Sequence, residues 1–112
     1  MFQYGLNGIR VAWSNSRLPL LCVFAILSGI LSLILKISII ELVLILICIF
    51  IVLALEMVNT SIEIICDMID YQYNEKIKIV KDISAGAVLL SAIGSGIIGL
   101  IVFIPRLVNM FC

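Results

Sequence analysis

Polar positions are sparse along this chain, and their spacing divides it into four stretches. Residues 18–35, 42–66 and 83–104 are each apolar enough, and near the roughly 20 residues needed, to form a spanning helix. The opening stretch differs. Residues 1–17 mix Phe2, Tyr4, Leu6, Ile9 and Trp13 with Arg10 and Arg17 and carry no acid. That mixture predicts a short amphipathic helix lying among the lipid headgroups. Pro19 suits the break before the first span, because proline is tolerated at a helix start. Residues 1–35 superficially resemble a secretory signal, but the apolar run is too long and lacks a small-residue cleavage pattern. The pattern predicts an all-α membrane protein with three transmembrane helices and an N-terminal surface helix.

The second apolar stretch carries the most informative residues. At 100° per residue, Glu56, Asn59, Glu63, Asp67 and Asp70 fall within a sector of roughly 80° on one helix face. A carboxylate at membrane depth costs about 2.5–3.5 kcal/mol even on the lenient insertion scale. Such a stripe persists only where it faces protein, water or metal, so it marks a site.

Composition and charge narrow the class. The chain has 112 residues, of which 64% are hydrophobic and 12% charged, against roughly 25% charged in soluble proteins. Seven basic and seven acidic residues cancel, so no overall field argues for nucleic acid as a partner. With the N-terminus inside, Arg10, Arg17, Lys76, Lys78 and Lys81 are internal, leaving Lys36 and Arg106 outside. The positive-inside rule therefore predicts an internal N-terminus, an external C-terminus, and residues 67–81 as a cytoplasmic loop. Lys36 to Glu41 is long enough only for an external turn. Cys22, Cys48, Cys66 and Cys112 show no C-x-x-C spacing and read as small apolar residues. The lack of histidine argues against zinc sites and histidine-activated nucleophiles.

Two motif matches carry no chemistry here. Gly94-Ser95-Gly96-Ile97-Ile98-Gly99 fits G-x-G-x-x-G but sits in a span, without the strand that a dinucleotide site requires. Ala85, Ala92, Ser95, Gly96 and Gly99 read instead as a small-residue strip on which another helix packs. Asn59-Thr60-Ser61 matches a glycosylation sequon only by accident of composition. The acidic stripe itself has three readings: a structural polar network, an ion-coupled exporter, or metal-dependent phosphoryl transfer. Phosphoryl transfer needs carboxylates for magnesium, a cation on the phosphates and a base or orienting group. Lys81 and Asp82 open the third span beside the lower end of the stripe, which fits kinase chemistry better than a lone proton relay. A small transporter of this size would have four spans, where three are found.

The run Glu56-Met57-Val58-Asn59-Thr60-Ser61-Ile62-Glu63 with Asp67, then Lys81-Asp82 and Ala85-Gly86-Ala87-Val88-Leu89-Leu90, resembles the small prokaryotic diacylglycerol kinase and undecaprenol kinase family. The family pattern is about E-x-x-N-[ST]-[AS]-I-E-x-x-x-D, a gap of about a dozen residues, then A-K-D-x-x-[AS]-[AG]-A-V-L. Phe2-Gln3-Tyr4-Gly5-Leu6-Asn7-Gly8-Ile9 resembles the start of the undecaprenol kinase branch. The resemblance covers nearly the whole chain and implies one membrane-embedded lipid kinase domain over residues 1–112. It implies a homotrimer in the prokaryotic plasma membrane, with cytoplasmic active sites between subunits and MgATP phosphorylating a lipid hydroxyl. By position, it makes Glu56 the catalytic base at the acceptor and Asn59 an orienting group for substrate or γ-phosphate. Glu63 becomes the magnesium ligand, with Tyr4, Asn59, Glu63, Asp67, Lys78, Lys81 and Asp82 around the nucleotide.

The sequence departs from the family pattern at one important place. A glutamate usually ends the surface helix and shares the magnesium, and the matching position here is Ser16, with no acid before Glu41. Val80 and Asn74 are milder departures, at an alanine and a histidine of the pattern. The expectation is a lipid kinase acting on undecaprenol or diacylglycerol, with a demanding magnesium requirement. A non-catalytic member with a structural or lipid-binding role is the alternative, and a small ion-coupled transporter comes third.

Overall fold

A computed structural model describes residues 1–69 and 74–111; Asp70, residues 71–73 and Cys112 lie outside the described residues. Four helices follow in order: α1 (Phe2–Asn15), α2 (Leu18–Leu35), α3 (Ile39–Ile69) and α4 (Glu75–Phe111). The last three are long and apolar enough to cross a membrane. The helices run past the expected spans, and this corrects one reading. Residues 67–81 are not all loop, because Asp67 and Lys81 both lie on helices. Hydropathy marks where lipid ends, whereas helix ends are set by capping. Asn74 Oδ1 accepts the Lys76 and Ile77 amides at 2.9 and 3.4 Å and so starts α4 well before its apolar run.

Each chain reversal is built from local hydrogen bonds. At Ser16 the backbone turns extended, with φ −139° and ψ −176°, and α1 stops. The Ser16 hydroxyl donates to the Ala12 carbonyl at 2.6 Å and accepts the Leu18 amide at 3.2 Å, pinning the corner between α1 and α2. Pro19 falls in the first turn of α2, where its missing N–H leaves no gap. Lys36 then ends α2 in the left-handed region at φ 51°. Its amide donates to the Leu33 carbonyl and that of Ile37 to Ser32, both at 3.4 Å, the pattern of a Schellman motif. Two residues later Ser38 and Glu41 cap α3 reciprocally, each side chain accepting the other's amide at 3.2 Å.

Packing centres on the antiparallel pair α3 and α4, with α2 lying more loosely against both. Three side-chain ties keep one register along roughly 39 Å of that pair: Glu41 with Arg106, Asn59 with Ser84, and Asp67 with Lys81. Hydroxyls elsewhere in the apolar stretches satisfy themselves locally. Ser28, Ser32, Thr60 and Ser91 each donate to a carbonyl of their own helix. Eighteen residues make α2 about 27 Å long, close to the hydrocarbon thickness, whereas α3 and α4 have 31 and 37. Since α2 begins beside Glu56, the excess length of the long pair lies beyond that level.

The surface helix has an apolar stripe that the chain does not cover. Phe2, Leu6, Ile9 and Trp13 fall within roughly 60° of one another on α1, and all four are exposed. Only Ala12 of α1 is buried. The small-residue strip is also open within the chain. Ala92, Ser95, Gly96 and Gly99 line an apolar groove of about 720 Å³ between α2, α3 and α4. A Cβ added at Gly96 would meet nothing within 4 Å. The expected packing of another helix on this strip is therefore not made by a helix of this chain.

The turn chemistry predicts opposite effects for two neighbouring substitutions. Ser38→Ala removes an N-cap and should lower stability by about 1 kcal/mol. Lys36→Gly relieves a left-handed lysine and should raise it by up to about 1 kcal/mol. Reversible unfolding in mixed detergent micelles measures both, and destabilisation by Lys36→Gly would count against the motif assigned to the turn.

Candidate functional site

The polar stripe of α3 descends from a buried end to an exposed end. Glu56 and Asn59 are 6% and 7% exposed, although the chain as a whole is thinly packed. Glu63 and Asp67 lie on the same face and are exposed. The difference arises from what stands opposite. The corner between α1 and α2 covers Glu56, whose Oε1 accepts the Arg17 amide at 3.4 Å. Arg17 caps α2, so this carboxylate also faces the positive end of a helix. The deep acid thus meets protein, as the cost of charge in lipid demands.

One turn further on, α4 covers the stripe. The Ser84 hydroxyl donates to Asn59 Oδ1 at 2.7 Å, and Asn59 Nδ2 donates to Glu63 Oε1 at 3.1 Å. Beyond them Lys81 Nζ reaches Asp67 Oδ1 at 2.8 Å across the two helices. Glu56, Asn59, Glu63, Asp67 and Lys81 therefore form one continuous polar track. Beside it a cleft of about 300 Å³ opens between α3 and α4. Its walls are Leu55, Val58, Ile62, Val80, Ile83 and Ala87, with Asn59 and Ser84 as the polar lining. Such a cleft suits an apolar ligand presenting a single polar group.

The other expected site residues are not on this track. Lys78 and Asp82 pair with each other at 2.6 Å on an exposed face of α4. Tyr4 is 80% exposed near the start of α1, about 12 Å along the axis from its buried Ala12. Asp70 lies outside the described residues. Ser16 is the neighbour of Arg17 and therefore sits at the level of Glu56, while Glu63 is two turns, about 10 Å, further along α3. Residue spacing did not reveal Ser84 or the Arg17 amide. Ser84 had a faint signal, since it follows Lys81 by three residues and shares its helix face. The Arg17 amide had none, because a backbone donor has no residue type.

Among the described residues no three acids or cysteines gather closely enough to cage a metal. Glu63 offers a hard carboxylate oxygen at the exposed end of the track. That donor set fits magnesium that also takes phosphate oxygens and water, the ion's usual arrangement, and does not fit an all-protein site.

Asp67 and Lys81 have side chains 51% and 37% exposed, so solvent screens their attraction. Lys81→Met should accordingly shift unfolding by less than about 1 kcal/mol. A loss of stability well above that figure in chemical denaturation would make Lys81 a structural residue and leave little of a ligand role.

Comparison with known proteins matches this sequence to one family. The model of a family described as prokaryotic diacylglycerol kinase matches residues 3–103. The chain is 42% identical over 72 residues to an undecaprenol kinase of Bacillus subtilis, a stretch covering 64% of this chain and 58% of that protein. It is 42% identical over 60 residues to a diacylglycerol kinase of Synechocystis, covering 53% of this chain and 34% of that one. The matched stretches thus span less than two thirds of either relative.

Proposed function

The chain belongs to the prokaryotic diacylglycerol kinase family, and from that premise we propose that it transfers the terminal phosphoryl group of ATP to the hydroxyl of a membrane lipid. Of undecaprenol and diacylglycerol we favour undecaprenol, on the Phe2–Ile9 opening and the Ile83-Ser84-Ala85-Gly86-Ala87-Val88 run. The observation that carries the reading is the order of burial along α3. Glu56 is enclosed by the corner that starts α2 and Asn59 by α4, and Glu63, Asp67 and Lys81 follow toward solvent. A lipid hydroxyl and a nucleotide approach from those two directions.

In this reading Glu56 takes the proton of the acceptor hydroxyl as its oxygen attacks the γ-phosphorus. The bond from that phosphorus to the β–γ bridging oxygen breaks and ADP leaves. Asn59 orients the reacting groups, and Lys81 meets phosphate charge. Glu63 would hold magnesium, which when bound offsets charge on the β- and γ-phosphates. Tyr4, Asp67, Lys78 and Asp82 join the nucleotide set on the family resemblance. The same resemblance supports one kinase domain over residues 1–112 and a homotrimer. The distribution of basic residues supports a cytoplasmic N-terminus and site in a prokaryotic plasma membrane.

Transfer of label from γ-labelled ATP to each lipid in detergent micelles tests the proposal. Glu56→Gln should lower turnover by about 10²–10⁴-fold, the span for loss of a general base, with nucleotide binding little changed. Full activity in that variant would remove Glu56 as the base. Glu63→Gln should abolish transfer.

Ser16 bears on a second reading, a non-catalytic lipid-binding member, because its hydroxyl is engaged in the corner between α1 and α2. The kinase reading expects wild-type activity with an elevated magnesium requirement, which Ser16→Glu lowers even though it weakens that corner. An inactive wild type that Ser16→Glu does not rescue at high magnesium would favour the non-catalytic member.

A further inference from the structure

We infer that Ser84 is a positioning residue, acting through Asn59 to hold the Glu63 carboxylate in one orientation for its cation. The inference deepens the kinase reading and rests on it. The physical basis is a hydrogen-bonded chain with only one workable polarity. A carboxylate can only accept, so the group of Asn59 that meets Glu63 at 3.1 Å must be its NH₂. The amide oxygen then points the other way, toward α4, and whatever stands there must donate. Ser84 stands there, 2.7 Å away, with a hydroxyl able to do so.

Both Asn59 and Ser84 are buried, so water does not readily replace either partner. Without a donor at Ser84, the Asn59 amide has no reason to keep its NH₂ on Glu63. The carboxylate would then lose both its hydrogen bond and its fixed rotamer. Groups behind a metal ligand orient it and tune its basicity in this way.

The contrast with other hydroxyls sharpens the assignment. Ser28, Ser32, Thr60 and Ser91 bond to carbonyls of their own helices, which any hydroxyl can do in an apolar medium. Ser84 instead spends its proton across the helix pair. It also lies one turn beyond Lys81 on the same face of α4. A single helix therefore presents both the cation paired with Asp67 and the donor that sets Asn59. Any slide of α4 against α3 would disturb the two together.

The test compares wild type, Ser84→Ala and Ser84→Thr as full chains in detergent micelles. Binding of Mn²⁺ with a non-hydrolysable ATP analogue is followed by the paramagnetic resonance signal of free Mn²⁺. The magnesium dependence of phosphoryl transfer is measured in parallel. Ser84→Ala should weaken Mn²⁺ binding and raise the magnesium needed for half-maximal rate by about 10- to 100-fold, the usual loss behind a metal ligand. Ser84→Thr keeps the donor and should return within about threefold of wild type.

A residue needed only for packing would lower stability in Ser84→Ala and leave the metal dependence of the folded protein alone. Equal Mn²⁺ affinity in wild type and Ser84→Ala overturns the inference, as does a Ser84→Thr protein that behaves like the alanine variant. Should wild type bind Mn²⁺ with nucleotide but transfer no phosphate, the kinase reading falls while the binding comparison still decides the role of Ser84. A wild type that binds no Mn²⁺ under these conditions removes the cation and the inference with it.

Discussion

Asn59 has to be satisfied between two helices where water offers little help, and much of the architecture follows from how that is done. A buried amide has two donors and an acceptor to place, and each left unpaired costs free energy on the scale of a lost hydrogen bond. Ser84 on α4 takes up the oxygen, and Glu63 on α3 takes one of the N–H groups. The bond to Ser84 is the buried one of three side-chain ties that hold the register of α4 against α3. With that register set, Lys81 comes opposite Asp67 and Arg106 comes opposite Glu41 at the far ends of the pair. Among the described residues no buried side-chain polar atom is left unpaired.

The same pair explains why so short a chain can hold a site at all. Hydrocarbon about 30 Å thick matches the length of α2, while α3 and α4 are longer and lie side by side. Their extension supplies polar helix faces at and just beyond the membrane boundary. Glu56 falls at that boundary because α2 begins there, and the Arg17 amide meets it. Depth and chemistry are therefore coupled through the position of one corner. Ser16 holds that corner with both of its hydrogen-bonding capacities, which ties the one notable departure from the family pattern to the geometry around Glu56.

Much of the surface of the chain is unfinished. Large apolar residues are exposed along every helix, as lipid contact allows. The groove beside Gly96 and Gly99 and the apolar stripe of α1 have no cover from the chain itself. Tyr4, Lys78 and Asp82, which the family resemblance assigns to the nucleotide, also stand apart from the polar track within one chain. In the proposed homotrimer, neighbouring subunits are the natural source of the missing contacts.

The helix count, the apolar stretches, the N-terminal helix and the stripe from Glu56 to Asp67 were legible in the residue pattern. All of these depend on local periodicity and on the large energetic penalty for charge in lipid. The motif around Glu56, Asn59 and Glu63 was also legible, because its spacing is a property of one helix face. Helix ends were less so. Hydropathy located the lipid boundary, but Asn74 and the Ser38–Glu41 pair set where the helices begin. Tertiary structure alone decided which partners meet. That Ser84 faces Asn59, and that a backbone amide of the corner faces Glu56, follow from how separate elements sit against one another. That arrangement is fixed by contacts between residues distant in the chain, which no pattern within a single helix encodes.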